Sequence, residues 1–325
     1  MYRGAKVAVV VPTYRASDSI VGVVDSLPEW VDQIIVVDDA CPQGSVDRLA
    51  ELDSVGTLTI VRHEENRGVG AATISGYYQA LEADCEIVVK IDSDGQMDPA
   101  LMHRFIDPIV SGEADYCKGN RFFRPESLTG MPPVRIIGNA GLSFLSKMSS
   151  GYWDLMDPTN GYTAIHSNIL RALPLDKLAD RFFFESDLLF RLSTIRAVVA
   201  DVPMDSRYSD EVSNLSAVDS LFRFLLMHLN RTGKRIFYNY FLRNFSVASL
   251  LLVFGVMFCG YGLISGGLTY LSNQASGQET PTGTILIVTI FILVGVQMLL
   301  AFVSHDISNR PQVIVHDKCS IGANR

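Results

Sequence analysis

The sequence is poor in the residues that build covalent or zinc-stapled folds. Its five cysteines, Cys41, Cys85, Cys117, Cys259 and Cys319, stand alone, with no CxxC pair among them. Scattered thiols exclude a disulfide framework and suit a reducing compartment. The six histidines are unclustered, which argues against a zinc site. Basic residues are outnumbered, 27 against 35, leaving a net charge of −8 that argues against general nucleic-acid binding. "MYRGAKVAVVVPTYR" has no apolar run long enough before Pro12 for a signal peptide, so none is expected.

Charge itself is missing from two stretches, 246–271 ("SVASLLLVFGVMFCGYGLISGGLTYL") and 284–304 ("TILIVTIFILVGVQMLLAFVS"). A bilayer core needs about 20 apolar residues in a helix, and both stretches qualify. A buried soluble helix is the alternative, disfavoured by two such segments in succession across a short polar loop. That loop, "SNQASGQETPTG", has no Lys or Arg, whereas Arg231, Lys234, Arg235 and Arg243 precede the first stretch and Arg310 and Lys318 follow the second. The positive-inside rule then puts both termini and the N-terminal domain in the cytoplasm.

What is present before residue 216 is alternation. Apolar strand-like runs at 6–14, 33–40, 57–63, 86–92 and 197–204 are interspersed with helical patterns at 18–27 (Ser17 as cap), 68–83, 135–149 and 184–195. "WDLMDPTNGYTAIH" reads as strands and a turn. Continuous apolar strands separated by helices predict a largely parallel sheet covered on both faces, with ligands beyond the carboxyl ends of its strands. Residues 217–245 mix aromatics, leucines and basic residues, and Gly233 is expected to divide them into two helices. Placed just before an apolar span, with Phe237, Tyr238, Tyr240 and Phe241 where an aromatic belt belongs, they read as an interfacial segment rather than as core helices. The organisation expected is a catalytic domain over 1–215, juxtamembrane helices over 216–245, a two-helix hairpin over 246–304 and a cytoplasmic tail over 305–325.

The informative acids are in "IVVKIDSDGQMDP". Asp98 precedes Pro99 and a helical pattern, so it reads as a helix N-cap with Pro at the first helical position. Asp92 and Asp94 end a buried strand two residues apart, where extended backbone would point both the same way. Adjacent carboxylates repel unless a cation lies between them, and Mg²⁺ or Mn²⁺ takes one or two carboxylates plus phosphate oxygens. Asp38 and Asp39 end another strand and read either as a turn or as acceptors for a nucleoside. "ENRGVGAA" (65–72) fails as a dinucleotide fingerprint in register and in position, though a helix start or close backbone approach fits it.

Several motifs occur in a fixed order: "VVVPTY" (9–14), "VVDDA" (36–40), "NRGVGAA" (66–72), "DSDGQMDP" (92–99), "GNRF" (119–122), "RIIGNAGLSFL" (135–145), "DPTNGY" (157–162), "FFFESDLLFRL" (182–192) and "RYSDEVSNL" (207–215). With this set the chain resembles the family 2 glycosyltransferases of GT-A fold, in the polyprenyl-phosphate branch that includes dolichyl-phosphate mannose synthase and bacterial undecaprenyl-phosphate sugar transferases. The resemblance implies an α/β, Rossmann-like GT-A domain followed by amphipathic interfacial helices and two transmembrane helices. It implies transfer of one sugar from a UDP- or GDP-linked donor to a polyprenyl phosphate, with Mg²⁺ or Mn²⁺ as cofactor, inversion at the anomeric carbon, and assembly into a homo-oligomer as an option.

Carried over by position, Pro12, Tyr14, Asp38 and Asp39 would line the nucleoside site. Asp92 and Asp94 would hold the metal against the donor diphosphate, with Gln96 close by. Arg121, Arg135, Arg207 and Ser213 would face the acceptor phosphate. Asp157, Glu185 and Asp187, with Arg121, are the candidates for orienting the acceptor or taking a proton, although Glu185 and Asp187 could merely cap the helix they open. The chain departs from the family pattern at Arg15-Ala16, where Asn-Glu is usual, at Asn214, where lysine is usual, and at Gly119-Asn120-Arg121, where Gly-Ser-Arg is usual. The Q-x-x-R-W motif of processive synthases is absent. The alternatives are transfer to a glycerolipid or glycan hydroxyl, which would need a true base, and an inactive nucleotide-sugar-binding module.

Overall fold

The computed structural model describes residues 1–17, 19–49, 57–123, 133–204 and 217–319, with the side chains of 133–135 and 217–221 excepted. Contacts divide the chain into two units, Met1–Thr232 with Pro311–Arg325, and Gly233–Arg310.

The first unit is built on a mixed seven-stranded sheet. In chain order its strands are β1 (Val7–Thr13), β2 (Gln33–Asp38), β3 (Leu58–Arg62), β4 (Ile87–Lys90), β5 (Tyr116–Asn120), β6 (Thr163–His166) and β7 (Val199–Pro203). They lie in the order β3-β2-β1-β4-β6-β5-β7, parallel except that β6 runs against β4 and β5. Strand side chains alternate between faces, and β1 shows the result. Val7, Val9 and Val11 enter one core with Ile20 of α1 (Ile20–Asp25) and Phe105 of α3 (Met102–Val110). Ala8 and Val10 enter the other with Tyr77 of α2 (Val69–Glu82), Ile169 of α5 (Ser167–Ala172) and Leu188 of α6 (Phe184–Thr194). Helices on both faces explain why the strands read as unbroken apolar runs.

Some expectations shift. The first helix opens at Ile20 after Ser19, and Ser17 instead donates to Gln43 at 3.3 Å. Asp98 does cap a helical start: its carboxylate accepts from Ala100 N at 3.0 Å, with Pro99 at the first position of a 3₁₀ turn leading into α3. In "WDLMDPTNGYTAIH" only β6 is a strand, because 157–162 closes as a loop. Gly233 does not divide its segment: α7 runs unbroken from Ala217 to Phe237 and passes into a π-helical turn, Tyr238–Arg243.

Within the first unit, α6 and α7 are joined by charge. Asp187, fully buried, accepts from Ala179 N at 3.2 Å and pairs with Arg191 at 3.3 Å and with Arg231 at 2.6 Å. His228 of α7 bonds Ser149 of α4 (Pro133–Ser150) at 2.9 Å.

Residues after Pro311 also belong to this unit. Asp115, fully buried just before β5, accepts from Val198 N (2.7 Å), Val315 N (2.9 Å), His316 N (2.8 Å) and His316 Nδ1 (2.7 Å). The His316 ring, at the start of α10 (His316–Cys319), stacks on His166 with centroids 4.4 Å apart.

The second unit is a helical hairpin of α8 (Val247–Ser276) and α9 (Thr282–Ser308), both long and apolar enough to cross a membrane. The helices approach closely where α8 has no side chain: a Cβ at Gly262 would meet Ile292 at 2.6 Å and one at Gly266 would meet Val288 at 2.7 Å. One buried carboxylate, Asp306, takes both Arg235 Nη1 (2.7 Å) and Nη2 (2.9 Å), and Tyr240 Oη (2.7 Å).

The Asp115 contacts yield a prediction. Asp115→Ala would strand several buried donors and should destabilise the first unit by about 3–5 kcal/mol. Limited proteolysis of the full-length protein should then cut within 311–319 at a rate at which the wild type is intact.

Candidate active site

The strand order reverses between β1 and β4, and α/β sheets bind ligands outside the carboxyl ends of strands at such a point. The segments leaving β1 and β2 are tied together there. Asp39 N donates to Thr13 O at 3.0 Å, and Arg15 N donates to Cys41 Sγ at 3.1 Å. Arg15 (φ 55°) and Ala40 (φ 53°) both adopt left-handed backbone. That conformation costs an L-residue roughly 1–2 kcal/mol and tends to gather at functional sites. Pro12 is buried in β1, and Tyr14 is exposed with the Arg15 guanidinium 5.3 Å over its ring.

Asp38 and Asp39 serve different groups. Asp38 Oδ1 accepts from Cys41 N at 2.9 Å, closing a turn. Asp39 is buried and accepts from Arg67 N (2.9 Å), Gly68 N (2.7 Å) and His63 Nδ1 (2.7 Å). It thereby fixes the loop that opens α2. Gly68 has φ 101°, and a Cβ there would lie 2.7 Å from Asp180 O, so "NRGVG" is a helix start held close to a second backbone segment.

Strand β4 ends at Lys90, so Asp92 and Asp94 lie in the following turn rather than on extended backbone. Lys90 is the residue the sequence reading passed over. It is 1% exposed, its Nζ lies 2.7 Å from Asp92 Oδ1 and 3.3 Å from Glu185 Oε1, and it also donates to Gly161 O. Burial by itself would lower the Lys90 ammonium, but the two carboxylates outweigh it and hold the pKa above the usual lysine range. Burial raises the Glu185 carboxyl, with Lys90 working against the rise. Asp92 Oδ2 stands outside the ion pair, in the space a Cβ on Gly161 would take. Asp94 is exposed, and its Oδ1 accepts from Gln96 N at 2.9 Å.

On the other side of β6, Arg121 follows β5. Its Nε and Nη2 donate to Asp157 Oδ2 and Oδ1 at 2.7 and 2.8 Å, a two-point pair. Asp157 is buried with φ 49°, and Asn160 Nδ2 donates to it at 2.9 Å. Burial pushes the Asp157 carboxyl up, but Arg121 and Asn160 prevail and hold it below its ordinary value. Beside this pair a cavity of about 320 Å³ opens between the 156–159 loop and α4. Arg135 stands on α4 with its side chain outside the described residues, and Arg207 and Ser213 lie outside them altogether. Glu185 joins the Asp92 cluster, whereas Asp187, two residues on, joins Arg191 and Arg231. Lys118, Asp201 and Asn160 were also passed over. The signal available was Lys90 inside an apolar strand-like run, a residue seldom buried unless paired; no such run surrounds Lys118.

A donor set of two carboxylates at one turn, one exposed and one with an oxygen outside its ion pair, fits a hard divalent cation.

The chain matches the model of glycosyl transferase family 2 over residues 8–173, more than half of its length, and it belongs to that family. UDP-N-acetylglucosamine--dolichyl-phosphate N-acetylglucosaminyltransferase of Methanococcus voltae is 29% identical over 215 residues, 62% of this chain and 85% of that protein. Undecaprenyl-phosphate mannosyltransferase of Micrococcus luteus is 29% identical over 207 residues, 61% of this chain and 82% of that protein. Among solved structures, glucosyl-3-phosphoglycerate synthase from Mycobacterium tuberculosis, crystallised with Mn²⁺, UDP and glucosyl-3-phosphoglycerate, superposes with a TM-score of 0.53 at 22% identity, over 71% of this chain and 81% of that one. Mannosyl-3-phosphoglycerate synthase from Rubrobacter xylanophilus gives a TM-score of 0.55 at 16% identity, over 75% and 77%. This structural likeness establishes a GT-A-like fold and nothing finer.

The Arg121–Asp157 pair has a pH signature. A carboxyl held low when folded contributes stability that is fully present above its unfolded pKa and is lost as pH falls through the folded value. Arg121→Ala removes the main cation opposing burial, so the folded carboxyl rises and this contribution is lost; the variant should fall furthest below the wild type at neutral pH, and the gap should narrow as pH falls. Thermal unfolding midpoints between about pH 3 and 7 should show the two proteins converging towards acid, with the variant about 1–3 kcal/mol less stable at neutral pH.

Proposed function

We propose that this chain transfers a single sugar from a nucleotide-diphosphate-sugar to a membrane polyprenyl phosphate, for which we assign undecaprenyl phosphate, releasing a nucleoside diphosphate. The observation that carries the reading is the engagement of the site's acids. Asp157, Glu185 and Asp187 are each buried against a cation, Arg121, Lys90 and the Arg191–Arg231 pair respectively. A hydroxyl acceptor needs a base positioned to take its proton. A phosphate monoester has a second pKa near ~6 and is already largely ionised at neutral pH. An acceptor of this kind needs cationic positioning more than a base, and the relatives named for dolichyl- and undecaprenyl-phosphate transfer support it.

On the donor side, Pro12, Tyr14 and Asp38 would line the nucleoside site, with Asp39 acting through the 63–68 loop it holds. Asp94 and Asp92 would hold Mg²⁺ or Mn²⁺, with Gln96 beside Asp94. Bound there, the ion would neutralise the charge that develops on the leaving diphosphate. Lys90 keeps Asp92 oriented by taking one of its oxygens. On the acceptor side, Arg121, Arg135, Arg207 and Ser213 would receive the lipid phosphate, arginine being suited to it as a planar, permanently charged donor. Asp157 then orients Arg121 rather than taking a proton, and Asp187 secures α7. Attack opposite the leaving diphosphate inverts the anomeric centre.

The reading divides the chain into a catalytic domain over 1–215, juxtamembrane helices over 216–245, a membrane hairpin over 246–304 and a tail over 305–325. The distribution of Lys and Arg supports a cytoplasmic catalytic domain. Tethering that domain to the bilayer raises the effective concentration of an acceptor that cannot leave it.

The test is a donor screen with purified full-length protein, undecaprenyl phosphate, Mg²⁺ or Mn²⁺ and a panel of UDP- and GDP-sugars. One donor should give a glycolipid detectable by mass spectrometry, and Asp94→Ala should lower its formation by about 10²-fold or more. No glycolipid with any donor would sink the assignment. Full activity in excess chelator would sink its metal component alone.

A further inference from the structure

We propose that Lys118 and Asp201 form an internal clamp that positions the Arg121–Asp157 pair, acting through the main chain of Met156. The inference rests on the assignment of Arg121 to the acceptor phosphate.

Lys118 of β5 and Asp201 of β7 are direct partners in the parallel ladder. Lys118 is 1% exposed, and its Nζ lies 2.8 Å from Asp201 Oδ1. The same ammonium donates to Gly119 O at 3.2 Å and to Met156 O. Asp201 Oδ2 accepts from Met156 N at 2.8 Å and from Asn120 Nδ2 at 3.1 Å. One ion pair therefore holds both polar main-chain groups of Met156, the residue immediately before Asp157.

Asp157 is where that grip matters. Its φ of 49° is left-handed, a conformation that persists only when the surroundings over-determine it. From there its two oxygens take Arg121 Nε and Nη2. The clamp reaches the arginine's side as well. Asn120, held by Asp201, accepts from Phe122 N at 3.0 Å, so the residues on both sides of Arg121 are fixed. Met156, Asp157 and Phe122 all line the adjoining cavity, so the clamp also sets part of its wall.

Stability alone does not ask for this arrangement. A buried ion pair is often replaceable by well-packed apolar side chains at no loss. What an apolar side chain on β5 cannot do is donate to Met156 O while its strand partner accepts from Met156 N. Lys118 and Asp201 are thus positioning residues, remote from the reacting atoms.

The experiment uses full-length protein in lipid nanodiscs and measures equilibrium affinities for undecaprenyl phosphate and for UDP. The variants are Lys118→Met, Asp201→Asn, the double variant Lys118→Met/Asp201→Asn, and Arg121→Ala as the control for the acceptor assignment. The double variant removes both charges together, so neither is left buried alone and folding is protected. It should weaken undecaprenyl phosphate binding about tenfold, the effect of about 1.4 kcal/mol, with UDP affinity within about twofold of wild type. Asp201→Asn keeps an acceptor for Met156 N and should lose about threefold, which carries the test if Lys118→Met does not fold. A purely structural role would lower both affinities together, and that result, or wild-type lipid affinity in the double variant, overturns the clamp. Wild-type lipid affinity in Arg121→Ala overturns the acceptor assignment itself. Loss in Arg121→Ala without loss in the double variant overturns the clamp alone.

Discussion

Two lysine ammonium groups lie inside the sheet, and a charge in that position has to be neutralised where it stands. Lys90 of β4 and Lys118 of β5 both pair with Thr163 of the intervening β6, so they occupy one level of the sheet. Three carboxylates answer them: Asp92 and Glu185 for Lys90, and Asp201 for Lys118. This requirement fixes more than two side chains. It sets the turn after β4, the opening of α6 and the edge strand β7 relative to one another. It also explains Gly161, since a Cβ there would sit 2.7 Å from Lys90 Nζ. The 157–162 loop can close over the sheet only because that position is bare.

The same compensation divides the acids by task. Those bound to lysine or arginine hold geometry, their oxygens already engaged by a cation. Asp94 is exposed in the turn beyond β4, where its Oδ1 accepts from Gln96 N at 2.9 Å. In the proposed reading the donor-side residues fall at the β1–β4 switch point and the acceptor-side Arg121 follows β5, with β6 between β4 and β5. Asp157 makes the division plain. Its carboxyl is held low by Arg121 in spite of burial, which suits an orienting anion and not a base at neutral pH.

The fold was legible where one physical signal dominated. Strands β1 to β4 are apolar, β-branched runs bounded by turn residues, and each emerged within a few residues of its observed limits. Asp98-Pro99 was legible because capping is local chemistry. β5 escaped notice because "YCKGN" has one aromatic and no β-branched residue, and its place in the sheet comes from pairing with β6 and β7. Gly233 was read as a break because glycine is a weak helix former, yet α7 carries it within a helix otherwise of good propensity. The site was legible as a set of acids and arginines, not as a network. Asp39 illustrates the limit. Its partners are the backbone N–H groups of Arg67 and Gly68, and no side-chain pattern announces a carboxylate that binds main chain.

β5 concentrates the consequences. At its start Asp115 gathers the backbone of Val315 and His316, so the chain returns to the first unit after α9 and is fixed there. Burial holds the neighbouring His166 down to about 4, which keeps that ring neutral near pH 7 and lets it accept from Asn168 N while stacking on His316. In its middle Lys118 reaches Met156, and just past its end Arg121 meets Asp157. A short strand without an ordinary strand sequence therefore has to be held by its neighbours β6 and β7, and β7 is itself fixed by Lys118 through Asp201. Its poor intrinsic strand propensity and its dense ionic anchoring are two sides of one arrangement. Residues chosen for charge and reach occupy positions that packing alone would have given to valine or isoleucine.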